Sequence, residues 1–190
     1  IALANEFADY CRVESIDINE VTDRAATKWN FNDVRPGMVG GHCIGVDPYY
    51  LLNRAAIKGV DLPLVSQSRT TNEKKVTSVA DRILDIVSEK ESAKILLLGF
   101  SYKKNCADIR NTKVAEIIKY LEARGIDVEC YDPLVNIEQV KREYSISLLP
   151  TKPDLRLYDS IIIMVNHSEF WEMQNSNKFD GKVIHLRNFL

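Results

Sequence analysis

Cys43 has the densest chemistry around it. It sits in Gly40-Gly41-His42-Cys43, four residues ahead of Asp47-Pro48, within the run VRPGMVGGHCIGVDPYYLL from Val34 to Leu52. An ionised thiol is a covalent nucleophile toward carbonyl carbon, and a carboxylate close by can position a water or take its proton. Asp-Pro predicts a helix start with Asp47 as N-cap and Pro48 at the first helical position. Cys43 then lies just before a helix N-terminus, where the dipole favours an anion. Gly40 and Gly41 have no Cβ and permit positive φ, so a bulky substrate could rest on the main chain there. Taken alone, the stretch also fits a glycine turn, a buried inert cysteine and an ordinary cap.

A second group of polar residues lies in GFSYKKNCADIRNT, residues 99–112. It follows an apolar run and precedes an amphipathic helix, the place where ligands collect in an open parallel sheet. Lys103, Lys104 and Arg110 supply positive charge, and Asn111-Thr112 opens a helix whose free N–H groups suit phosphate. No GxGxxG fingerprint is present, so a solvated basic loop with a good cap is an equal reading of these residues. Arg35 is the cation nearest the glycines. It fits surface solvation or a contact to phosphate or sugar, within the chain or across a dimer interface.

The elements that must position these residues follow from periodicity. Leu3, Phe7 and Cys11 predict a helix over 1–13, and Asp17 opens a second to Thr27. Residues 28–46 form a long loop, which argues for function. A helix over Asp47–Lys58 is stopped by Gly59, and Val65–Glu89 forms the longest helix, fit to be a dimer seam or a strut. Arg69 and Asn72 on it are expected to be structural. From Ala93 the texture changes: AKILLLGF reads as a strand buried on both faces. Val114, Ile117, Ile118 and Leu121 mark a helix ending at Arg124-Gly125, and DVECYDP is the next strand. Ser160–Val165 and Lys182–Leu186 complete the strands, with helical segments near Ile137–Glu143 and Ser168–Met173. The second half is therefore an α/β, doubly wound parallel domain.

Totals narrow the function classes. The 190 residues are 45% hydrophobic, enough for a sizeable core. A net charge of −2 and a pI near 6.0 leave no basic field for nucleic acid. Cys11, Cys43, Cys106 and Cys130 lack CxxC or metal-ligand spacing, which predicts reduced thiols in a cytoplasmic protein and no metal site. No run approaches a membrane span, and no membrane partner is expected. The chain opens at IALANEF without methionine and is expected to be a piece of a longer one.

GGHCIGVDPYYL with the flanking RPGMV resembles the active-site segment of the UDP-glucose/GDP-mannose dehydrogenase family, most like the UDP-N-acetylhexosamine branch. GFSYKKNCADIRNT resembles the segment that opens that family's UDP-binding domain, with Tyr102 in place of the usual phenylalanine. Tyr131-Asp132-Pro133, the His167-x-Glu169-Phe170 turn and Arg187-Asn188 agree with it; His185 departs from a usual aspartate. The resemblance implies a helical central dimerisation region over 1–90 and a Rossmann-like UDP-sugar-binding domain over 91–190. It further implies Cys43 as nucleophile, Asp47 as helper, and Gly40, Gly41, Tyr102, Lys103 and Arg35 as substrate contacts. Arg110 would approach the cofactor, NAD. The implied reaction oxidises C6 of a UDP-sugar through a thiohemiacetal and thioester, for surface polysaccharide, in a homodimer. The family's NAD domain and its catalytic lysine and asparagine would lie upstream of Asn5-Glu6, so the piece alone is expected to be inactive. The alternative is a nucleotide-sugar-binding module without catalysis. A Cys43–His42 hydrolase is a third reading, weakened by the adjacency of the two residues and the lack of an evident orienting group. His167 is expected to make a turn-stabilising hydrogen bond.

Overall fold

The computed structural model describes residues 1–87, 93–171 and 183–188. Helix α1 (Ala2–Val13) buries Asn5, Ala8 and Cys11, one residue per turn along a single stripe. Helix α2 (Ile18–Ala26) is opened by Asp17, whose carboxylate accepts the Asn19 N–H at 2.8 Å. After the loop through 28–46 come α3 (Asp47–Ile57) and α4 (Pro63–Val87). Gly59, at φ +70°, supplies the left-handed residue that ends α3.

Helix α4 changes character along its length. Its first half buries Arg69, Asn72 and Lys75, and its second half buries Val76, Val79, Ala80, Ile83 and Val87. The polar half meets α1, where Asp9 accepts from Lys75 Nζ at 3.0 Å and also, from further along α4, from Arg82 at 2.9 Å. The apolar half packs into the core of the sheet unit. Helix α4 thus runs from its contacts with α1 into the core of the sheet unit.

The sheet unit contains β1 (Lys94–Leu98), α5 (Lys113–Glu122), β2 (Asp127–Tyr131), α6 (Ile137–Tyr144), β3 (Ser160–Ile163) and β4 (Val183–His185). All pairings are parallel in the order β2-β1-β3-β4, with Leu97 opposite both Cys130 and Ile162. Successive β1 side chains alternate faces. Ile95 and Leu97 join Ile83, Val87, Ile117, Ile118 and Leu121 on one side, and Leu96 and Leu98 join Tyr158, Ile161, Ile163 and Phe170 on the other. Each such aliphatic side chain removed from water contributes about 1.5–3 kcal/mol. The expected ends of α4 and of the Ser168–Met173 helix, and Lys182, fall outside the described residues; the latter helix is seen from Phe170 to Trp171.

Strand order reverses between β1 and β3, so the loops that leave their carboxyl ends diverge and open a crevice. Loop 36–41 enters it. Gly37, Met38 and Gly40 face Ser101, Tyr102, Thr112, Lys113 and Met164 around a cavity of about 190 Å³. A separate apolar groove of about 560 Å³ lies on the far side of α1, lined by Leu3, Phe7, Val21, Phe31 and Val34.

Candidate active site

The segment bearing Cys43 turns before it becomes helical. Cys43 O accepts both Val46 N–H at 2.9 Å and Asp47 N–H at 2.8 Å, so the N-cap of α3 is Val46 and Pro48 lies within the first turn. The expected capping by Asp47 is therefore corrected: no side chain caps this helix, and the Asp47 carboxylate stands exposed in the first turn. Freed from capping, it is available to solvent and ligands. Cys43 is likewise exposed, whereas Cys11 and Cys130 are buried and Cys106 is intermediate. Burial pushes the Cys130 thiol well up, with Asp132 adding to the effect.

The two polar segments of the sequence meet here. Gly41 N–H donates to Arg110 O at 3.2 Å, and Asn111 Nδ2 donates to Gly41 O at 3.0 Å. A Cβ on Gly40 would come 2.8 Å from Asn111 O, and one on Gly41 would come 3.0 Å from the Tyr102 ring. Gly41 also has φ +80°, which L side chains rarely adopt. The room left by the missing Cβ atoms is thus filled by the 99–112 loop, where the sequence pointed to open main chain for a substrate.

Tyr102 N–H donates to Asp108 O at 3.2 Å, and Lys103 Nζ lies 5.7 Å from the Tyr102 ring centroid. Arg110 grips the Asp108 carboxylate through Nε and Nη2, which, with the Arg110 N–H, brings that acid down to about 2. The carboxylate in turn raises Arg110, which also feels Tyr102 and Cys43. Asp108 Oδ2 is 3.9 Å from His42 Nδ1, beyond hydrogen-bond reach. Gly40, Gly41, Cys43, Tyr102 and Arg110 therefore form one neighbourhood, with Lys103 at its edge.

Arg35 is elsewhere. It is bound by Asp23 at 2.7 Å and Asp33 at 2.8 Å and lines a polar cleft of about 720 Å³ with Arg12, Asn19 and Arg187. Its loop is fixed by Asn5, fully buried, which accepts Gly37 N–H at 2.9 Å and donates to Gly37 O at 3.0 Å and Asn72 Oδ1 at 3.1 Å. Arg69 buttresses the cysteine segment from behind. It donates to Ile44 O at 3.4 Å, stacks 4.9 Å from the Tyr49 ring centroid, and pairs with Glu73, which also holds Lys113 at 2.9 Å. Among the described residues no cluster of His, Cys, Asp or Glu could hold a metal. No described helix is long and apolar enough to cross a membrane.

Comparisons with known proteins agree over both units. Residues 1–74 match the central domain of the UDP-glucose/GDP-mannose dehydrogenase family and residues 96–189 match its UDP-binding domain. The chain is 40% identical to UDP-N-acetyl-D-glucosamine 6-dehydrogenase of Pseudomonas aeruginosa, over 98% of this chain and 45% of that protein. It is 30% identical to UDP-N-acetyl-D-mannosamine dehydrogenase of Methanocaldococcus jannaschii, over 97% of this chain and 40% of the relative. A solved UDP-D-ManNAc dehydrogenase from Pyrococcus horikoshii superposes with a TM-score of 0.75 at 28% identity, covering all of this chain and 45% of that one. The chain thus spans less than half the length of these relatives.

Proposed function

From the premise that this chain belongs to the UDP-glucose/GDP-mannose dehydrogenase family, we propose that it carries the nucleophile and nucleotide-gripping loop of an NAD-dependent enzyme oxidising C6 of a UDP-N-acetylhexosamine. One observation carries the reading: the exposed Cys43 lies on a segment hydrogen-bonded to the loop that bears Tyr102, Lys103 and Arg110.

Cys43 Sγ adds to the sugar aldehyde carbon, forming a C–S bond while the carbonyl oxygen takes a proton. Loss of the second hydride, together with the proton on that oxygen to solvent, leaves a thioester, and water then cleaves it, releasing the acid and restoring the thiol. Asp47, free of any capping duty, holds that water or takes its proton. Lys103 and Tyr102 face the diphosphate and the nucleotide, and the backbone of Gly40 and Gly41 forms the floor. NAD, when bound, accepts the two hydrides. Arg110, exposed beside Cys43, is the cationic donor in this chain suited to it. Residues 1–90 act as the central region and 91–190 as the UDP-sugar-binding domain of a cytoplasmic homodimer that serves surface polysaccharide synthesis. The exposed apolar groove along α1 supports self-association, and Arg35 serves a neighbouring subunit's substrate by exchanging its Asp23 and Asp33 partners for it.

Iodoacetamide labelling with peptide mapping tests this. Cys43 should be alkylated first of the four thiols, and UDP-N-acetylglucosamine should slow that step while Cys43→Ser still binds UDP by calorimetry. Equal labelling of all four thiols, or no protection by any UDP-sugar, would refute the reading.

A further inference from the structure

A buried polar cluster lies beneath the 99–112 loop and takes no part in the chemistry above. Ser101, Asp132 and His167 are 0%, 3% and 0% exposed. Asp132 closes β2, and its Oδ2 accepts Phe100 N–H at 2.7 Å and Ser101 N–H at 3.0 Å, while Oδ1 accepts Leu134 N–H at 2.9 Å. His167 follows β3, and its Nε2 lies 3.1 Å from Asp132 Oδ2 and 3.3 Å from Ser101 Oγ. Its Nδ1 accepts Asn105 N–H at 2.9 Å.

Serine, histidine and aspartate together invite a nucleophile reading, but the geometry excludes it. Ser101 and Asp132 both address the same ring nitrogen, the Ser101 hydroxyl donates to Lys103 O at 3.0 Å, and all three side chains are sealed from solvent. A relay needs the base and the orienting acid on opposite nitrogens.

The ring's partners fix its tautomer. An amide N–H can only donate, so Nδ1 must present its lone pair to Asn105, which leaves the proton on Nε2, donated to the Asp132 carboxylate. Asn105 stands at φ +54° and is tied a second time, its side chain exchanging hydrogen bonds with Ser168 Oγ and Ser168 N–H, each at 2.9 Å. Tyr102, Lys103 and Lys104 therefore hang between two anchored residues, Ser101 and Asn105. The anchors come from the ends of β2 and β3.

We propose that His167, as the neutral Nε2–H tautomer, is the positioning residue of segment 101–105: its bare Nδ1 holds Asn105 and so sets where Tyr102 and Lys103 meet a nucleoside diphosphate. The effect on affinity rests on the UDP-sugar reading above; the tautomer and the tether do not. The groups facing the ring are Asp132, Ser101, the Asn105 amide and, 5.4 Å away between centroids, Phe170.

Two substitutions separate the ring's two contacts. His167→Asn keeps an acceptor near the Nδ1 position and gives up the bond to Asp132; His167→Gln keeps a donor near Nε2 and gives up the bond to Asn105. The whole chain is labelled with ¹⁵N, and the ring nitrogens, Asn105 amide exchange and UDP affinity are measured. The expected results are a protonated Nε2 with a bare Nδ1 in the unsubstituted protein, and Asn105 exchange and UDP dissociation constant each raised about tenfold in His167→Gln, with His167→Asn close to the parent in both. A protonated Nδ1, unchanged Asn105 exchange in His167→Gln, or equal loosening by both substitutions would overturn the proposal. If the parent binds no UDP, the functional reading fails, while ring protonation and Asn105 exchange still decide the tether.

Discussion

Alanine substitutions at four glycines separate backbone strain from contact between the two loops of the site. At Gly37 an added Cβ meets nothing within 4 Å and φ is ordinary, so Gly37→Ala should be neutral or stabilise by about 0.4–1 kcal/mol. Gly59 has φ +70° and equally open surroundings, which leaves only the left-handed strain of about 1–2 kcal/mol. At Gly40 the conformation is unstrained, but the new Cβ would lie 2.8 Å from Asn111 O, a backbone atom that can move only with its loop. Overpacking of that kind costs about 1–3 kcal/mol. Gly41 combines φ +80° with a Tyr102 ring 3.0 Å away, for about 2–5 kcal/mol in total. In a chain of 190 residues each kcal/mol lowers the melting temperature by about 2–4 °C. Melting is followed by circular dichroism and UDP affinity by calorimetry. Gly59→Ala should lose stability alone, whereas Gly40→Ala and Gly41→Ala should lose affinity as well, because the loops part. If Gly40→Ala melts with Gly37→Ala, or if Gly59→Ala weakens UDP as much as Gly40→Ala, the docking of the two loops is not what those glycines are for.

Asn5→Ala removes one buried amide and leaves Gly37 N–H, Gly37 O and Asn72 without it; a loss of about 2–4 kcal/mol is expected from the orphaned groups, read as urea-midpoint displacement at unchanged slope. Asp108 has its pKa lowered to about 2 by Arg110, so the pair's contribution is present above the usual carboxylate value near 4 and is lost as pH falls toward 2. The melting-temperature gap between the parent and Asp108→Asn should therefore be constant from neutral pH to about 4 and close below it; a gap that closes between pH 7 and 5 would assign the effect to another group.

Residues 94–98 read as a strand buried on both faces because, after Lys94 at its edge, Ile95–Leu98 offers no polar position to turn outward, and α5 was legible from Val114, Ile117, Ile118 and Leu121. Local signals also placed Asp17 as a cap. The same logic misplaced Asp47, because the chain had already begun to turn at Cys43, whose carbonyl takes the first two N–H groups. The partners that define the site are far apart in sequence. Gly41 and Asn111 are 70 residues apart, Asp132 and His167 are 35 apart, and Asn5 and Asn72 are 67 apart. Gly41, Asn111 and Asp132 also have sound local explanations as turn or cap formers, and Asn5 and Asn72 lie inside helices where nothing beside them demands a distant partner. Arg35 illustrates the converse: one of its ion-pair partners, Asp33, lies only two residues away, and the other, Asp23, twelve.

Helix α4 has a mechanical consequence. Its 25 residues make a rod about 37 Å long, tied at one end through Arg69 to the segment that carries the thiol and through Asn72 to Asn5 of α1, and embedded at the other in the sheet's interior. Bending between those ends would break consecutive main-chain hydrogen bonds in mid-helix. The thiol segment and the sheet that carries the basic loop are therefore joined twice, by one unbroken helix and by the hydrogen bonds of Gly41 to Arg110 and Asn111, so changing the angle between them must break both connections.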